Sequence, residues 1–249
     1  MLFRRLTALY VGLWLYGLSM AVMIRAALGL DPWDVFHQGV AAHVPLSFGA
    51  VTALTGLIVL LAWIPLRQRP GLGTVSNVVV IGISVDAGLW LLPELHALPP
   101  RLGAMALAVV LNAAATVLYI GAGMGPGPRD GLMTGLVRNS GLSVRLVRTG
   151  IEVTVLAVGW LLGGSVGIGT VVYAFGIGPL IQLMIPLVDH HLPGFHTAES
   201  VAAQSKRIVD PPGRRLGSEV LSPRRTRSPR PRVRLSTGGR PSSVRPRRQ

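Results

Sequence analysis

Twelve residues, LGLDPWDVFHQG from Leu28 to Gly39, return 96 residues later as MGPGPRDGLMTG from Met124 to Gly135. Gly29, Pro32, Asp34 and Gly39 are matched by Gly125, Pro128, Asp130 and Gly135. The register then holds without a gap. Leu46-Ser47 recurs as Leu142-Ser143, the run Gly71 to Val75 (GLGTV) as Gly167 to Val171 (GIGTV), and Ile81-Gly82 as Ile177-Gly178. From Ile24 to Asp86, 18 of 63 positions are identical to their partners, where a composition this rich in Leu, Gly, Val and Ala gives roughly five by chance. The chain is therefore read as two copies of one unit.

Each copy carries three apolar runs. Hydropathy places them at Leu6–Ile24, Gly49–Leu66 and Thr74–Leu92 in the first, and at Leu102–Gly121, Thr149–Leu162 and Ile168–Val188 in the second. Half of the 249 residues are hydrophobic and only 14% are charged, too apolar for an ordinary soluble domain. A bilayer core of ~30 Å needs about 20 apolar residues, so the runs are read as membrane spans. The first is preceded by Arg4-Arg5 and superficially resembles a signal peptide. Its counterpart at Leu102–Ile120 argues that it is instead the first span of a duplicated unit. The expected fold is an all-α membrane protein of six transmembrane helices, with a transmembrane domain over 1–193 (repeats at about 6–92 and 102–188). Three spans per copy place the second copy upside down relative to the first, the inverted-repeat plan of many transporters and channels.

Charge fixes an expected orientation. With the N-terminus inside, inside segments outside the tail hold eight arginines (4, 5, 67, 69, 129, 138, 145 and 148) and outside segments hold two (25 and 101). By the positive-inside rule both ends are cytoplasmic. Residues 194–249 hold fourteen Lys or Arg against three acids and are rich in Arg, Pro and Ser, a composition that cannot bury enough apolar surface to offset its ordering entropy. A disordered tail near anionic lipid headgroups is expected. Nucleic acid is not, since no aromatic side chain lies among the arginines to stack on bases.

The repeated motifs read first as backbone chemistry. Asp31 is placed at an N-cap, Pro32 at the first helical position and Asp34 at the third, with Pro128 and Asp130 repeating this, so short helices are expected over 32–43 and 128–139. Ser47 and Ser143 are expected N-caps of the next spans. Gly71, Gly73 and Thr74, with Gly167, Gly169 and Thr170, are expected to form the turns before the last span of each copy, the threonines as N-caps. A half-length helix opened by Gly and Pro also suits a re-entrant segment that carries Asp34 and Asp130 toward mid-membrane. However, Val35, Phe36, Val40 and Val44 on one face with His37 and Gln38 on another favour a helix lying at the interface.

Polar groups within the spans are the remaining candidates for a solute path, since a charge at a helix centre costs about 2.5–3.5 kcal/mol on insertion scales. Asp86 is the most interior, with Gln182 as its counterpart, followed by Asn77 and Asn112. A pairing of Asp86 with Arg25 is the bland alternative, and Glu152 is expected to pair with Arg148 one turn away. There is no cysteine, which excludes thiol chemistry and cysteine-ligated metals. Phosphate-loop, dinucleotide and HExxH patterns are absent from the sequence, so neither catalysis, a cofactor nor a metal is expected.

GLGLDPWDVFHQG, the LSFG and LSVR starts, GLGT and GIGT, and GPGPRDGLMTGL followed by RTGIE (Arg148 to Glu152) together resemble the YczE group of the broader YczE/YyaS/YitT membrane proteins. The likeness covers roughly residues 5–190, in order and in register. It implies an integral protein of the bacterial cytoplasmic membrane and supplies no activity or site residue. Two function classes follow. One is a small-solute transporter or channel. The other is a non-transporting accessory or scaffold subunit, with membrane lipids and a protein partner or second copy as its contacts.

Overall fold

The structure, a computed structural model, describes residues 2–191. The expected tail over 194–249 lies outside the described residues. Eight helices follow in order: α1 (Leu2–Ala26), α2 (Pro32–Ala41), α3 (Phe48–Ala62), α4 (Leu72–Leu91), α5 (Leu98–Gly121), α6 (Pro128–Ser140), α7 (Val144–Leu161) and α8 (Ile168–His191). Each of the last four begins 96 residues after one of the first four. The described residues are all-helical. Four helices, α1, α4, α5 and α8, are long and apolar enough to cross a membrane. The other two expected spans differ from that reading: α3 has 15 residues, about 22 Å of rise, and α7 begins earlier than expected and takes in Arg145, Arg148 and Glu152.

Helix α1 is the hub. It packs along α5 and α4, burying Leu9, Leu13, Met20 and Ala21 against Ile81, Val85 and Tyr119. Its contacts with α5 run in opposite senses along the two helices: Arg5 donates to the Ala122 carbonyl, Asn112 to Ser19, and Arg101 to the Ala26 carbonyl. The two helices are thus antiparallel.

Local chemistry sets the helix starts. Asp31 Oδ1 accepts from the backbone N–H of Trp33 (2.8 Å) and Asp34 (3.0 Å), with Pro32 at the first helical position. Ser47 and Ser143 cap α3 and α7 by accepting from Ala50 and Leu146. The GLGT turn departs from expectation, because Gly71 and not Thr74 is the N-cap of α4. Thr74 stands at the third helical position, where its Oγ1 accepts from Gly71 N–H (3.1 Å) and donates to the Pro126 carbonyl (2.7 Å).

These turns lock each half of the chain to the other. Gly73 N–H donates to the Met124 carbonyl (2.9 Å), and Gly169 N–H donates to the Leu28 carbonyl (2.7 Å). Donors and acceptors of the two bonds are related by 96 residues. Gly29 and Gly125 turn at φ +106° and +123°, and a Cβ on Gly29 would stand 2.5 Å from the Gly167 nitrogen. Left-handed backbone and close approach both require glycine there.

Candidate functional site

The first turn of α2 and the first turn of α6 meet inside the molecule. Asp31, Asp34 and His37 are each at most 3% exposed. Both Val35 and His37 are buried, and α2 packs along α7 and against α3. On the polar face His37 has partners inside the protein and Gln38 is half-buried, while Phe36, Val40 and Val44 of the apolar face are also half-buried. His37 Nδ1 lies 3.2 Å from Asp34 Oδ1 and 3.3 Å from Thr52 Oγ1, and Gln38 Oε1 accepts from the Ser165 N–H.

Across the junction, Arg129 reaches from α6. Its guanidinium nitrogens stand 3.9 Å from Asp31 Oδ1 and 3.9 Å from Asp34 Oδ1. The group lies 4.7 Å from the Trp33 ring centroid, within cation–π range. Those separations are too long for hydrogen bonds, so Arg129 is held by charge and stacking. Asp34 Oδ2 is buried with no hydrogen-bond partner. Trp33 and Arg129 hold equivalent positions in the 96-residue register, and they stack on each other.

Beside this junction lies a cavity of about 100 Å³. Trp33 and His37 of α2, Thr52, Thr55 and Val59 of α3, Asn77 of α4, Tyr16 and Tyr119, and Arg129 and Asp130 of α6 line it. The two tyrosine rings meet edge to face at 6.1 Å. The packing explains why the cavity lies on the α3–α6 side. Trp63 at the end of α3 lies over Gly131, whose added Cβ would fall 1.9 Å from the indole, and its Nε1 donates to the Pro128 carbonyl (3.0 Å). The equivalent residue on α7 is Gly159, which lets the Phe36 backbone approach so closely that a Cβ would fall 2.4 Å from it. Thus α2 sits flush on α7, and Trp63 holds α6 off α3.

Of the residues expected to line a path, Asn77 and Asp130 line the cavity and Asp34 stands at the junction. Asn112 is buried and structural, donating to Ser19 (2.9 Å) and accepting from Tyr173 (3.0 Å). Gln182 is exposed on α8. Asp86 does not line the cavity and does not pair with Arg25. Its carboxylate accepts from Ser47 Oγ (2.5 Å) and Gly49 N–H (2.8 Å), fixing the start of α3. Arg25 instead pairs with Glu94 at 3.1 Å. Arg148 and Glu152 pair as expected, at 2.9 Å. Gly29, Pro32, Gly125, Pro128, Gly71, Gly73, Gly167, Gly169 and Thr170 act in caps and turns.

Sequence reasoning missed Arg129, His37, Asp31 and the tyrosines. By its position in the linear sequence Arg129 reads as a loop charge. The side chain is only 30% exposed and belongs to the junction. One signal was available: Trp33 and Arg129 are register partners, and a cation opposite an aromatic ring at a duplicated position invites stacking.

A helical body with four membrane-length helices defines a multi-pass integral membrane protein. Residues 3–186 match the family of unknown function DUF6198, and the chain belongs to that family. An uncharacterized protein of Haemophilus influenzae is 34% identical over 193 residues, covering 77% of this chain and 88% of that protein. The uncharacterized membrane protein YczE of Bacillus subtilis is 34% identical over 184 residues, covering 73% of this chain and 86% of its own length. YyaS of the same bacterium is 25% identical over 186 residues, covering 73% and 92%. No solved structure matches. The resemblance to YczE and YyaS therefore holds.

Proposed function

We propose that this protein is a small-solute transporter or channel built from two inverted three-span repeats, its solute site being the junction of the α2 and α6 first turns. The observation that carries the reading is the meeting of Asp31, Asp34, Trp33 and Arg129, beside the cavity, at the level of Tyr16 in mid-α1. In this reading α2 and α6 are re-entrant half-helices, one from each face, and non-helical backbone at membrane depth is tolerated because protein covers it. The reciprocal Gly73–Met124 and Gly169–Leu28 bonds and the antiparallel α1 and α5 support a two-fold axis through the Trp33–Arg129 stack. Exposed apolar side chains on α7 and α8 suit lipid contact, and the protein belongs in the bacterial cytoplasmic membrane with both ends inside.

The test begins with metabolites that differ between a strain lacking the gene and its parent, followed by flux of those solutes into proteoliposomes. Arg129→Ala and Trp33→Ala should each lower flux about tenfold or more, the effect of losing about 1.4 kcal/mol at the site. Wild-type rates in both variants would remove the site. A non-transporting accessory subunit is the second reading. It is favoured by the near-complete engagement of the repeated glycines in turns, and a stoichiometric co-purifying partner with no flux would establish it.

A further inference from the structure

Asp31 and Asp34 face a single guanidinium, so with both carboxylates ionised the junction holds one uncompensated negative charge inside the protein. The two acids are not equivalent. Asp31 Oδ1 accepts two backbone N–H groups as the α2 cap, so that oxygen is already engaged by the helix start. Asp34 has His37 on Oδ1 and nothing on Oδ2. A buried carboxylate oxygen without a donor carries an uncompensated desolvation cost, and binding a cation there would remove it.

We infer that Asp34 is a proton-binding site, reached from the cavity through His37, and that its protonation releases Arg129 toward a solute. The inference rests on the transport reading above and names its coupling ion. A proton fits where a metal ion does not. A metal would enter beside Arg129, 3.9 Å from Asp34, and add like-charge repulsion at that site. No group of three His, Asp or Glu side chains among the described residues is placed to hold one.

The proton path balances without another reactant. Neutral His37 carries its hydrogen on Nδ1, toward Asp34 Oδ1 at 3.2 Å. Its ring lines the cavity. A proton taken up on Nε2 allows the Nδ1 proton to pass to Asp34. The imidazole is left neutral in its other tautomer, and the new carboxylic O–H donates back to Nδ1. Arg129 then retains Asp31 as its one counter-charge, and the junction is neutral.

The groups that share this field are Asp31, Arg129 and the phenols of Tyr16 and Tyr173. Tyr119 and Asp130 line the adjoining cavity. On α7, which packs along α2, Arg148 and Glu152 are paired with each other, and α3 contributes the uncharged Thr52.

The test is an infrared pH titration of the full chain in liposomes, following the carbonyl stretch of protonated carboxylic acids between about pH 4 and pH 9. A titrating buried-acid band is expected in the wild type and in Asp86→Asn, and its loss is expected in Asp34→Asn. If Asp34→Asn does not fold, Asp34→Glu serves: the band should persist at a shifted frequency. A band unchanged by either substitution, or no titrating band at all, overturns the inference. The spectrum reports protonation alone. It can therefore fail while solute flux stands, and flux can fail while the band persists.

Discussion

Arg129 holds two buried carboxylates by charge and leans on an indole, with a hydrogen bond to neither acid. Removing it leaves Asp31 and Asp34 without a counter-charge. Arg129→Ala should therefore cost about 3–5 kcal/mol of stability, the usual penalty for orphaning a buried charge. Thermal melting of the detergent-solubilised protein would measure it, and an unshifted midpoint would show that the pairing carries no weight. Arg129→Lys is not a conservative exchange here, because an ammonium lacks the flat face that stacks on Trp33. Asp34 and Asp130 look alike in the sequence, yet their surroundings differ. Asp34 lies beside His37 and has a bare oxygen, whereas Asp130 lines the cavity.

At the scale of helices, one exchange of a large residue for a small one breaks the likeness of the halves. Trp63 covers Gly131, while Gly159 lies against the backbone at Val35 and Phe36. Gly131→Ala should cost about 1–3 kcal/mol by overpacking, and Trp63→Leu should relieve that cost because the colliding atoms belong to a side chain. Gly159→Ala should cost at least as much and resist rescue by any trimming at Phe36, since there the obstacle is backbone. A double-mutant cycle on melting temperatures distinguishes the two cases; additive effects of Gly131→Ala and Trp63→Leu would contradict this packing. Helix starts were legible from Asp31, Pro32, Ser47 and Ser143 because capping is local. The role of Thr74 was not, because its hydroxyl bonds to Pro126, 52 residues away.

Over the whole molecule, the proposed topology makes a prediction independent of any solute. Reporter fusions after residues 28, 95 and 165 should report the outer side, and fusions after 69 and 193 the cytoplasm. A fusion at 69 reporting the outer side would remove the three-span repeat and, with it, the inverted plan. The 96-residue register, the apolar runs and the family resemblance are all legible in the sequence, because self-similarity and hydropathy are properties of the linear chain. The short helices were expected at the right residues. Their place in the interior was not, because burial of His37, Asp34 and Arg129 depends on partners that the linear order does not bring together.

A helical membrane protein with a 96-residue self-similarity, and the motifs that open its helices, can be read from the linear chain, since apolarity and capping act over a few residues. What those motifs serve depends on the packing. Gly29 and Gly125 admit the opposite half's turn where a Cβ would collide with it. The position shared by Trp33 and Arg129 becomes a stack across the junction, and Asp86, the most conspicuous intramembrane acid, is taken up by capping α3. Each of these depends on groups tens of residues apart meeting within about 5 Å, which only the packed chain can bring about.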